Sequence, residues 1–194
     1  MRKVRYSYES AFYHSDQELK KIHEKEIQYL QELQYLSVTD PLTGLFNRRR
    51  MYEELELQMN NAQRYEEPFS LIIFDIDDFK HINDHYGHNV GDNVLKAIAD
   101  VVKNTVRKTD YVCRWGGEEF LVLLPKIKQE DACITAEKLR IEIQNIIYPE
   151  EFYVTCSFGV AQYREGLVVN DLINNADQAL YRVKENGKNF VSEA

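Results

Sequence analysis

The stretch Gly116-Gly117-Glu118-Glu119-Phe120 is the most informative part of this chain. Its two glycines lie between two β-rich runs, Tyr111–Trp115 and Phe120–Leu124. Two consecutive glycines between strands predict a β-hairpin with a type I′ turn, because that turn needs positive φ at both central residues. Since neighbouring strand residues point to opposite faces, Glu118 and Glu119 are expected on different sides of the sheet. A carboxylate fixed beside a rigid turn is well placed to hold a metal ion.

The composition is that of a soluble globular protein, with 194 residues of which 44% are hydrophobic and 29% charged. The net charge of −8 argues against general nucleic-acid binding, which needs a basic surface. No stretch approaches the roughly 20 apolar residues that span a membrane, and no apolar run follows the basic N-terminus as in a secretory signal. The three widely spaced cysteines, Cys113, Cys133 and Cys156, are expected to be reduced thiols in a cytoplasmic protein.

The first 36 residues are expected to form a tail and a signalling helix, ahead of a domain at 37–194. From about Ser15 to Leu36, apolar residues recur at spacings of three and four, with charged residues between them. This pattern predicts an amphipathic helix, either in a parallel dimeric coiled coil or packed on its own domain. The pair Asp40-Pro41 is expected to end it, since proline and the residue before it both resist helical geometry.

The rest of the chain alternates between helical and strand patterns. This alternation predicts an α/β domain with helices over a central mixed sheet. The expected helices cover 48–65, 92–107, 130–147 and 171–185. The expected strands cover 69–75, 111–115, 120–124, 152–161 and a short last one at 190–191.

A second acidic group stands where an apolar strand ends, in Phe74-Asp75-Ile76-Asp77-Asp78. Burying an acid without a partner is costly, so the strand is expected to bring charge to the rim of the sheet. Asp75 and Glu118 together would supply the hard oxygen ligands that Mg²⁺ prefers, and would leave positions for phosphates. For Asp77 and Asp78, helix capping or a solvated loop remains an open interpretation.

The segment from Phe79 to Asp92 is rich in polar residues. Considered alone, Asp92 before an amphipathic helix is most simply an N-terminal cap. His81, His85 and His88 have spacings that a zinc site could use, but no cysteine lies nearby, so we expect His88 to shape a pocket instead.

Several motifs in the right order make this chain similar to the GGDEF family, the diguanylate cyclases. The hairpin resembles the family signature in its Gly-Gly-Glu-Glu-Phe form. The opening motif of the family is matched by 40–49, its guanine pocket by 79–92, its late strand by 157–161 and its C-terminal motif by 176–189. The resemblance covers about residues 36–191. It implies a nucleotide-cyclase fold of the palm-like GGDEF type, preceded by an N-terminal helix.

The resemblance implies an enzyme that condenses two GTP into cyclic di-GMP and two pyrophosphates, with two Mg²⁺ or Mn²⁺ ions per active site. The implied metal ligands are Asp75, the backbone carbonyl of Ile76, and Glu118. Glu118 is also the implied acceptor of the 3′-hydroxyl proton, with Glu119 and Lys80 as further catalytic residues. The alternative function is a degenerate domain that binds nucleotide and signals without chemistry.

The same resemblance implies that Asn83 and Asp92 bind the base, so that guanine is accepted and adenine rejected. Further implied substrate contacts are Phe79, His88, Lys184 and Lys188. Arg114 is a further candidate because it lies near the hairpin and phosphates need cations. For the two lysines, an ordinary helix C-terminus with a glycine cap is an equally compatible interpretation.

Product inhibition by cyclic di-GMP is implied at Arg107-Lys108-Thr109-Asp110, nine residues before the hairpin. Lys138 is the nearest match to a further arginine that family members often have. Without the resemblance, Arg107 is a residue at a helix C-terminus and Asp110 a turn residue. A homodimer is implied too, because two GTP-loaded sites must face each other to form a two-fold symmetric product.

Overall fold

The structure is a computed structural model that describes residues 38–149 and 152–194, together with 23 and 25–27. The domain lies in the compact unit Thr39–Ala194. Of the predicted N-terminal helix, His23 and residues 25–27 are described, and they are helical. The rest of that helix, with its apolar seam, lies outside the described residues, and the domain boundary at 36/37 stays a prediction.

Five helices and five strands form the domain, counted over the residues that the structure describes. The helices are α1 (Arg48–Tyr65), α2 (Phe79–Tyr86), α3 (His88–Thr105), α4 (Gln129–Gln144) and α5 (Val169–Glu185). The strands are β1 (Phe69–Ile76), β2 (Tyr111–Gly116), β3 (Glu119–Pro125), β4 (Cys156–Gln162) and β5 (Val191–Glu193). Within the same described ranges, no helix has the length and apolar character needed to cross a bilayer.

The strands form one mixed sheet in the order β2-β3-β1-β4-β5, antiparallel except for the last pair. The central strand β1 is buried along its whole length. Ile72 and Phe74 face the core under α2, α3 and α4, while Leu71 and Ile73 face the core under α1 and α5. Because helices cover both faces, β1 is an apolar run without polar alternation. The predicted α/β fold with a central mixed sheet is confirmed.

The segment 39–46, which precedes α1, covers the outer edge of β2. Phe46 forms isolated bridges with Thr39 and with Cys113 of β2. The Phe46 amide donates to the Val112 carbonyl at 3.1 Å, and its own carbonyl accepts from the Arg114 amide at 3.0 Å. This edge segment therefore shields one open edge of the sheet.

Helix α5 lies directly against β4. A Cβ atom placed on Gly159 would come within 2.0 Å of the Ala176 carbonyl oxygen and 2.5 Å of the Leu180 amide nitrogen. Only glycine permits so close an approach of two backbones. The contact fixes the height of α5 above the sheet, and with it the position of Lys184 in the last turn of α5.

The prediction for the segment before α3 is wrong in two respects. The helix begins at His88, four residues earlier than predicted, and a separate helix, α2, precedes it. Gly87, at φ +86°, separates the two helices. Asp92 therefore lies inside α3 rather than at its N-cap, which contradicts the capping interpretation. Eight residues of α2 are too few to show a clear apolar period in the sequence.

The hairpin turn lies one residue further along than predicted. Gly116 belongs to β2 and pairs with Glu119, so Gly117 and Glu118 form the turn. Gly117 has a φ of +37°, whereas Glu118 is outside the positive-φ region. The predicted type I′ turn is therefore wrong.

Packing in the core explains this displacement. The β2–β3 register shifts between Arg114 and Gly116, as at a β-bulge. The bulge keeps Phe120 opposite Phe74, with their rings stacked at 5.0 Å. Register in a sheet follows the buried face, so the turn accommodates the packing rather than setting it.

Other element ends differ by only a few residues. The ends of α1 are as predicted, while β4 begins at Cys156 instead of 152, and α4 ends at Gln144 instead of 147.

Candidate active site

Three carboxylates meet at the end of the sheet where β1 finishes and the β2–β3 turn begins. Asp75 stands directly opposite Glu119 in antiparallel register, so the two side chains point to the same face. Glu118 lies in the adjoining turn, and its carbonyl accepts a hydrogen bond from the Ile76 amide at 3.3 Å. The prediction that strand alternation directs Glu119 away from this acidic group is therefore wrong.

The pKa of each of these three carboxyls is raised. Burial is the main cause for Asp75, which is 6% exposed, while the nearby Lys184 opposes the rise in its pKa. Burial also raises the pKa of Glu118 and of Glu119, and in both cases the charge of Asp75 adds to the effect. The cluster therefore holds more negative charge than its surroundings favour, which a divalent cation would relieve.

Two lysines from the C-terminal motif lie at the same end of the sheet. Lys184 forms an ion pair with Asp75, at 2.9 Å between Nζ and Oδ1. Lys188 donates to Asp78 Oδ1 at 2.6 Å. Asp78 precedes α2 but makes no capping hydrogen bond with its side chain, so the capping interpretation of Asp78 is wrong. Both predicted phosphate contacts are thus brought beside the acidic cluster.

Asp77 is buried like Asp75, but its carboxylate is held by neutral hydrogen-bond donors instead of a lysine. It is 8% exposed. Its carboxylate accepts from the hydroxyls of Thr155 and Ser157, both at 2.7 Å, and from the Asn189 amide at 3.1 Å. Neither a helix cap nor a solvated loop describes this environment.

Asn83 and Asp92, the residues predicted to bind guanine, lie on α2 and α3, which approach closely at Gly91. A Cβ atom on Gly91 would come within 2.0 Å of Asn83 Oδ1 and 3.3 Å of the Phe79 ring. The missing side chain at Gly91 thus lets the Asn83 amide and the Phe79 ring lie against the backbone just before Asp92. His88 is exposed at the start of α3.

Lys80 is exposed on α2, and the ion pairs that the structure gives for the described residues do not include it. Its predicted catalytic role therefore gains no support from the geometry.

Arg114 holds the hairpin turn in place. Its Nε and Nη2 atoms donate to the Gly117 carbonyl at 3.0 and 2.8 Å, and Nη1 donates to the Asp40 carboxylate at 3.2 Å. Burial would raise the pKa of Asp40, but hydrogen bonds from Thr43 and the charge of Arg114 lower it overall. These contacts fix the turn, and the phosphate contact of Arg114 stays a prediction.

Two charged residues near the cluster were missed in the sequence. The Arg48 guanidinium lies 4.3 Å from the centre of the Trp115 ring, and its charge opposes the burial-driven rise in the pKa of Glu119. Asp177 on α5 adds to that rise, as it does for Asp75. Arg48 lies in the opening motif at 40–49 and Asp177 in the C-terminal motif at 176–189. Nothing local in the sequence links either residue to the hairpin.

Arg107 and Asp110 form a closed turn. The Asp110 carboxylate accepts from the Arg107 amide at 2.8 Å, and the Asp110 amide donates to the Arg107 carbonyl at 3.0 Å. Arg107 also lines a cavity of about 670 Å³, together with Tyr65 and Tyr111. Lys138 is exposed on α4 and is not among the residues that line this cavity.

The donor set fits magnesium better than zinc. Over the described residues, no group of three or more histidine, cysteine, aspartate or glutamate side chains is arranged to hold a metal ion. The zinc interpretation of His81, His85 and His88 therefore gains no support from the described residues. Mg²⁺ usually takes only one or two carboxylates and completes its shell with water and phosphate oxygens, which Asp75 and Glu118 allow.

Comparison with known proteins gives the family. The family model described as diguanylate cyclase, GGDEF domain, matches residues 37–190. The chain belongs to this family. Among its relatives, diguanylate cyclase DgcM of Escherichia coli K12 is 38% identical, over 84% of this chain and 40% of the relative. The response regulator PleD of Caulobacter vibrioides is 40% identical, over 80% of this chain and 36% of the relative. The chain therefore spans about 40% or less of the length of these GGDEF relatives.

Solved GGDEF structures match the fold. The coiled coil and GGDEF domain of DgcB from Caulobacter crescentus, in complex with c-di-GMP, matches with a TM-score of 0.86 and 28% identity, over 97% of this chain and 100% of that chain. The active GGEEF domain of a diguanylate cyclase from Vibrio cholerae matches with a TM-score of 0.73 and 32% identity, over 76% of this chain and 96% of that chain. The family expected from the sequence is confirmed. Diguanylate cyclases of this family generally use divalent metal ions.

Proposed function

We propose that this chain is a diguanylate cyclase, which condenses two GTP into cyclic di-GMP and two pyrophosphates. The observation that carries the proposal is the meeting of Asp75, Glu118 and Glu119 beside Lys184, in a chain of the GGDEF family. The Vibrio cholerae domain with the Gly-Gly-Glu-Glu-Phe form is described as active. Glutamate at position 118 is therefore compatible with catalysis.

Asp75, the Ile76 carbonyl and Glu118 would hold two Mg²⁺ or Mn²⁺ ions in each active site. Bound there, the metals would lower the pKa of the attacking 3′-hydroxyl and neutralise charge on the α-phosphate and the leaving pyrophosphate. Glu118 would also accept the proton of the attacking hydroxyl. Glu119 adds its negative charge to the electrostatic potential at this end of the sheet, which attracts the metal ions.

Asn83 and Asp92 bind guanine, and Phe79 and His88 form the wall of that pocket. A carboxylate accepts from the N–H groups of guanine, while adenine would leave buried partners unpaired at a cost of about 1–3 kcal/mol each. Lys184 exchanges its contact with Asp75 for a phosphate when nucleotide and metal bind.

We also propose that activity requires a homodimer, because two GTP-loaded sites must face each other to form the product. The predicted N-terminal helix is the proposed clamp, and the DgcB structure contains a coiled coil with its GGDEF domain. We place the protein in the cytoplasm, as its cysteines suggest. Product inhibition involves Arg107, Asp110 and Lys138, and the c-di-GMP complex of the DgcB domain supports product binding in a relative.

The test is to incubate purified protein with GTP and Mg²⁺ and to separate the products by chromatography. We expect cyclic di-GMP from the wild type and none from Glu118→Gln, with unchanged circular dichroism spectra. Glu142→Gln is the matched control, because Glu142 is an exposed carboxylate on α4, away from the cluster. If the wild type forms no cyclic dinucleotide at high protein concentration, the enzyme hypothesis fails, and the alternative of a degenerate nucleotide-binding domain takes its place.

A further inference from the structure

Three consecutive residues after α5 have left-handed backbone conformations. The φ angle is +111° at Gly187, +63° at Lys188 and +51° at Asn189. Glycine adopts this region freely, but two successive residues with side chains there are strained. Such strain persists only where the surrounding structure enforces it, and it concentrates at functional sites. The segment 187–189 carries one of the two lysines beside the acidic cluster.

Asp77 is the main anchor of this segment. The Asn189 amide donates to Asp77 Oδ2 and to Ser157 Oγ, both at 3.1 Å. The hydroxyls of Thr155 and Ser157 donate to the same carboxylate at 2.7 Å. Hydrogen bonds to a buried carboxylate are among the strong ones, so this group fastens the segment to the start of β4.

Helix α4 braces the segment from another side. Asn189 Oδ1 accepts from Arg140 Nη1 at 2.8 Å, and Asn189 Nδ2 donates to Gln144 Oε1 at 3.3 Å. Arg140 is itself held by both carboxylate oxygens of Glu137, at 2.7 and 2.9 Å. The backbone and the side chain of Asn189 are therefore fixed by different elements.

We propose that Asp77 is a positioning residue for the triphosphate of GTP. It keeps the segment 187–189 in its left-handed form, so that the Lys188 ammonium stands at the acidic end of the sheet. Asp77 touches neither nucleotide nor metal, unlike Asp75, two residues earlier in the same strand end. The proposal rests on the proposed function, because it takes GTP as the ligand of this site.

The change Asp77→Asn tests this role at nearly constant shape. It converts one acceptor oxygen into an NH₂ donor, which then faces hydroxyl and amide donors that already point at it. The segment 187–189 loses the charge-assisted hydrogen bond from the Asn189 amide, and the backbone that carries Lys188 is held less firmly. The guanine pocket of Asn83 and Asp92 stays as it is, because it lies on α2 and α3.

The measurement is the binding of fluorescent GTP and GMP analogues, which share the guanine and the α-phosphate but differ in the outer phosphates. In Asp77→Asn we expect GTP affinity to fall about tenfold, as for a lost charge-assisted contact, and GMP affinity to stay within about twofold. Lys188→Ala should give the same pattern. The double variant should lose no more GTP affinity than either single variant, because both changes remove the same contact between Lys188 and the triphosphate. The control Asp100→Asn, at an exposed position of α3, should bind both nucleotides as the wild type does.

Equal losses for GTP and GMP would overturn the proposal, since they would indicate general damage to the pocket. Unchanged GTP affinity, or additive losses in the double variant, would overturn it too. If Asp77→Asn does not fold, Asn189→Val serves instead, because a β-branched residue resists the left-handed region, and it should show the same selective loss. A wild type that binds GTP but forms no cyclic di-GMP would refute the proposed function and leave this inference standing.

Discussion

Asp75, Glu118 and Glu119 lie together with one ion-paired ammonium, that of Lys184, at 2.9 Å from Asp75. Burial raises the pKa of each carboxyl, and nearby negative charges add to the rise. A carboxyl whose pKa is higher in the folded than in the unfolded state binds its proton more tightly when folded. Its stabilising effect is present at low pH and is lost as the pH rises through the folded pKa. These acids therefore lower the free energy of unfolding at neutral pH.

Replacement of Glu119 by glutamine should raise the melting temperature of the metal-free protein at pH 7. The change removes a negative charge directly opposite Asp75, and a gain of about 1–3 °C is expected from like charges across a strand pair. At pH 5 the gain should shrink, because the wild-type carboxyl is then nearer to its protonated form. Melting curves in EDTA measure both values, with Glu142→Gln as the control. A gain as large at pH 5 as at pH 7 would contradict the electrostatic explanation.

Magnesium should raise the melting temperature of the wild type, because binding to the folded state alone stabilises it. Asp75→Asn should abolish most of this increase, whereas the exposed control Asp100→Asn should keep it. Melting curves in EDTA and in excess MgCl₂, without nucleotide, give the comparison. An equal increase in all three proteins would place the ion elsewhere.

Sequence patterns predicted Asp75 as a metal ligand but left the role of Asp77 open between a helix cap and a solvated loop. Both are aspartates at the end of one strand, and they differ only in their surroundings. Asp77 is buried, and its carboxylate accepts hydrogen bonds from Thr155, Ser157 and Asn189, which lie 78 to 112 positions away along the chain. Contacts over such separations leave no local pattern, and only the folded chain reveals them.

At the scale of elements, the contact between α5 and β4 leads to a prediction for Gly159. Gly159→Ala places a methyl group against backbone atoms of Ala176 and Leu180, which cannot rotate away. The helix must shift, and overpacking of this kind costs about 1–3 kcal/mol. Because α5 carries Lys184, cyclase activity should fall as well. Urea unfolding and the rate of cyclic di-GMP formation measure the two effects, and a variant with wild-type stability would disprove the close packing.

Gly91→Ala offers a contrast, since the new methyl group meets the tip of the Asn83 side chain rather than backbone. We expect weaker GTP binding and less discrimination against ATP, because Asn83 must leave its place beside Asp92. The loss of stability should be smaller than for Gly159→Ala. Equilibrium binding of GTP and ATP analogues, together with urea unfolding, tests both statements. Unchanged nucleotide affinity would separate Asn83 from guanine recognition.

Local signals predicted some elements well and others poorly. The ends of α1 follow from its apolar period and from Asn47, whose Oδ1 accepts from the Arg50 amide at 3.0 Å as an N-cap. The hairpin turn was misplaced because Phe120 stacks on Phe74, and this packing fixes the register. Turn residues indicate that a hairpin exists, whereas cross-strand packing decides where it bends.

At the scale of the whole molecule, the fold class and the family follow from motifs in the right order, and both are confirmed. The arrangement of two copies does not follow from them, because the predicted N-terminal helix, apart from residues 23 and 25–27, lies outside the described residues.

If two active sites must face each other, the rate per protomer should rise with protein concentration until the dimer is complete. Deletion of residues 1–36 should shift this rise to higher concentration, because the proposed clamp is removed. Initial rates over a dilution series, with sedimentation as the measure of mass, test the expectation. A constant rate per protomer under monomeric conditions would argue against the dimer as the active species.

The edge segment 39–46 also makes the domain sensitive to force. Two backbone hydrogen bonds join Phe46 to β2, and the ion pair between Asp40 and Arg114 continues the connection to the Gly117 carbonyl. A pull at Thr39 therefore acts on β2 and on the turn that bears Glu118 through these polar contacts. Tension applied at this end of the domain would therefore be passed on to the hairpin that bears Glu118.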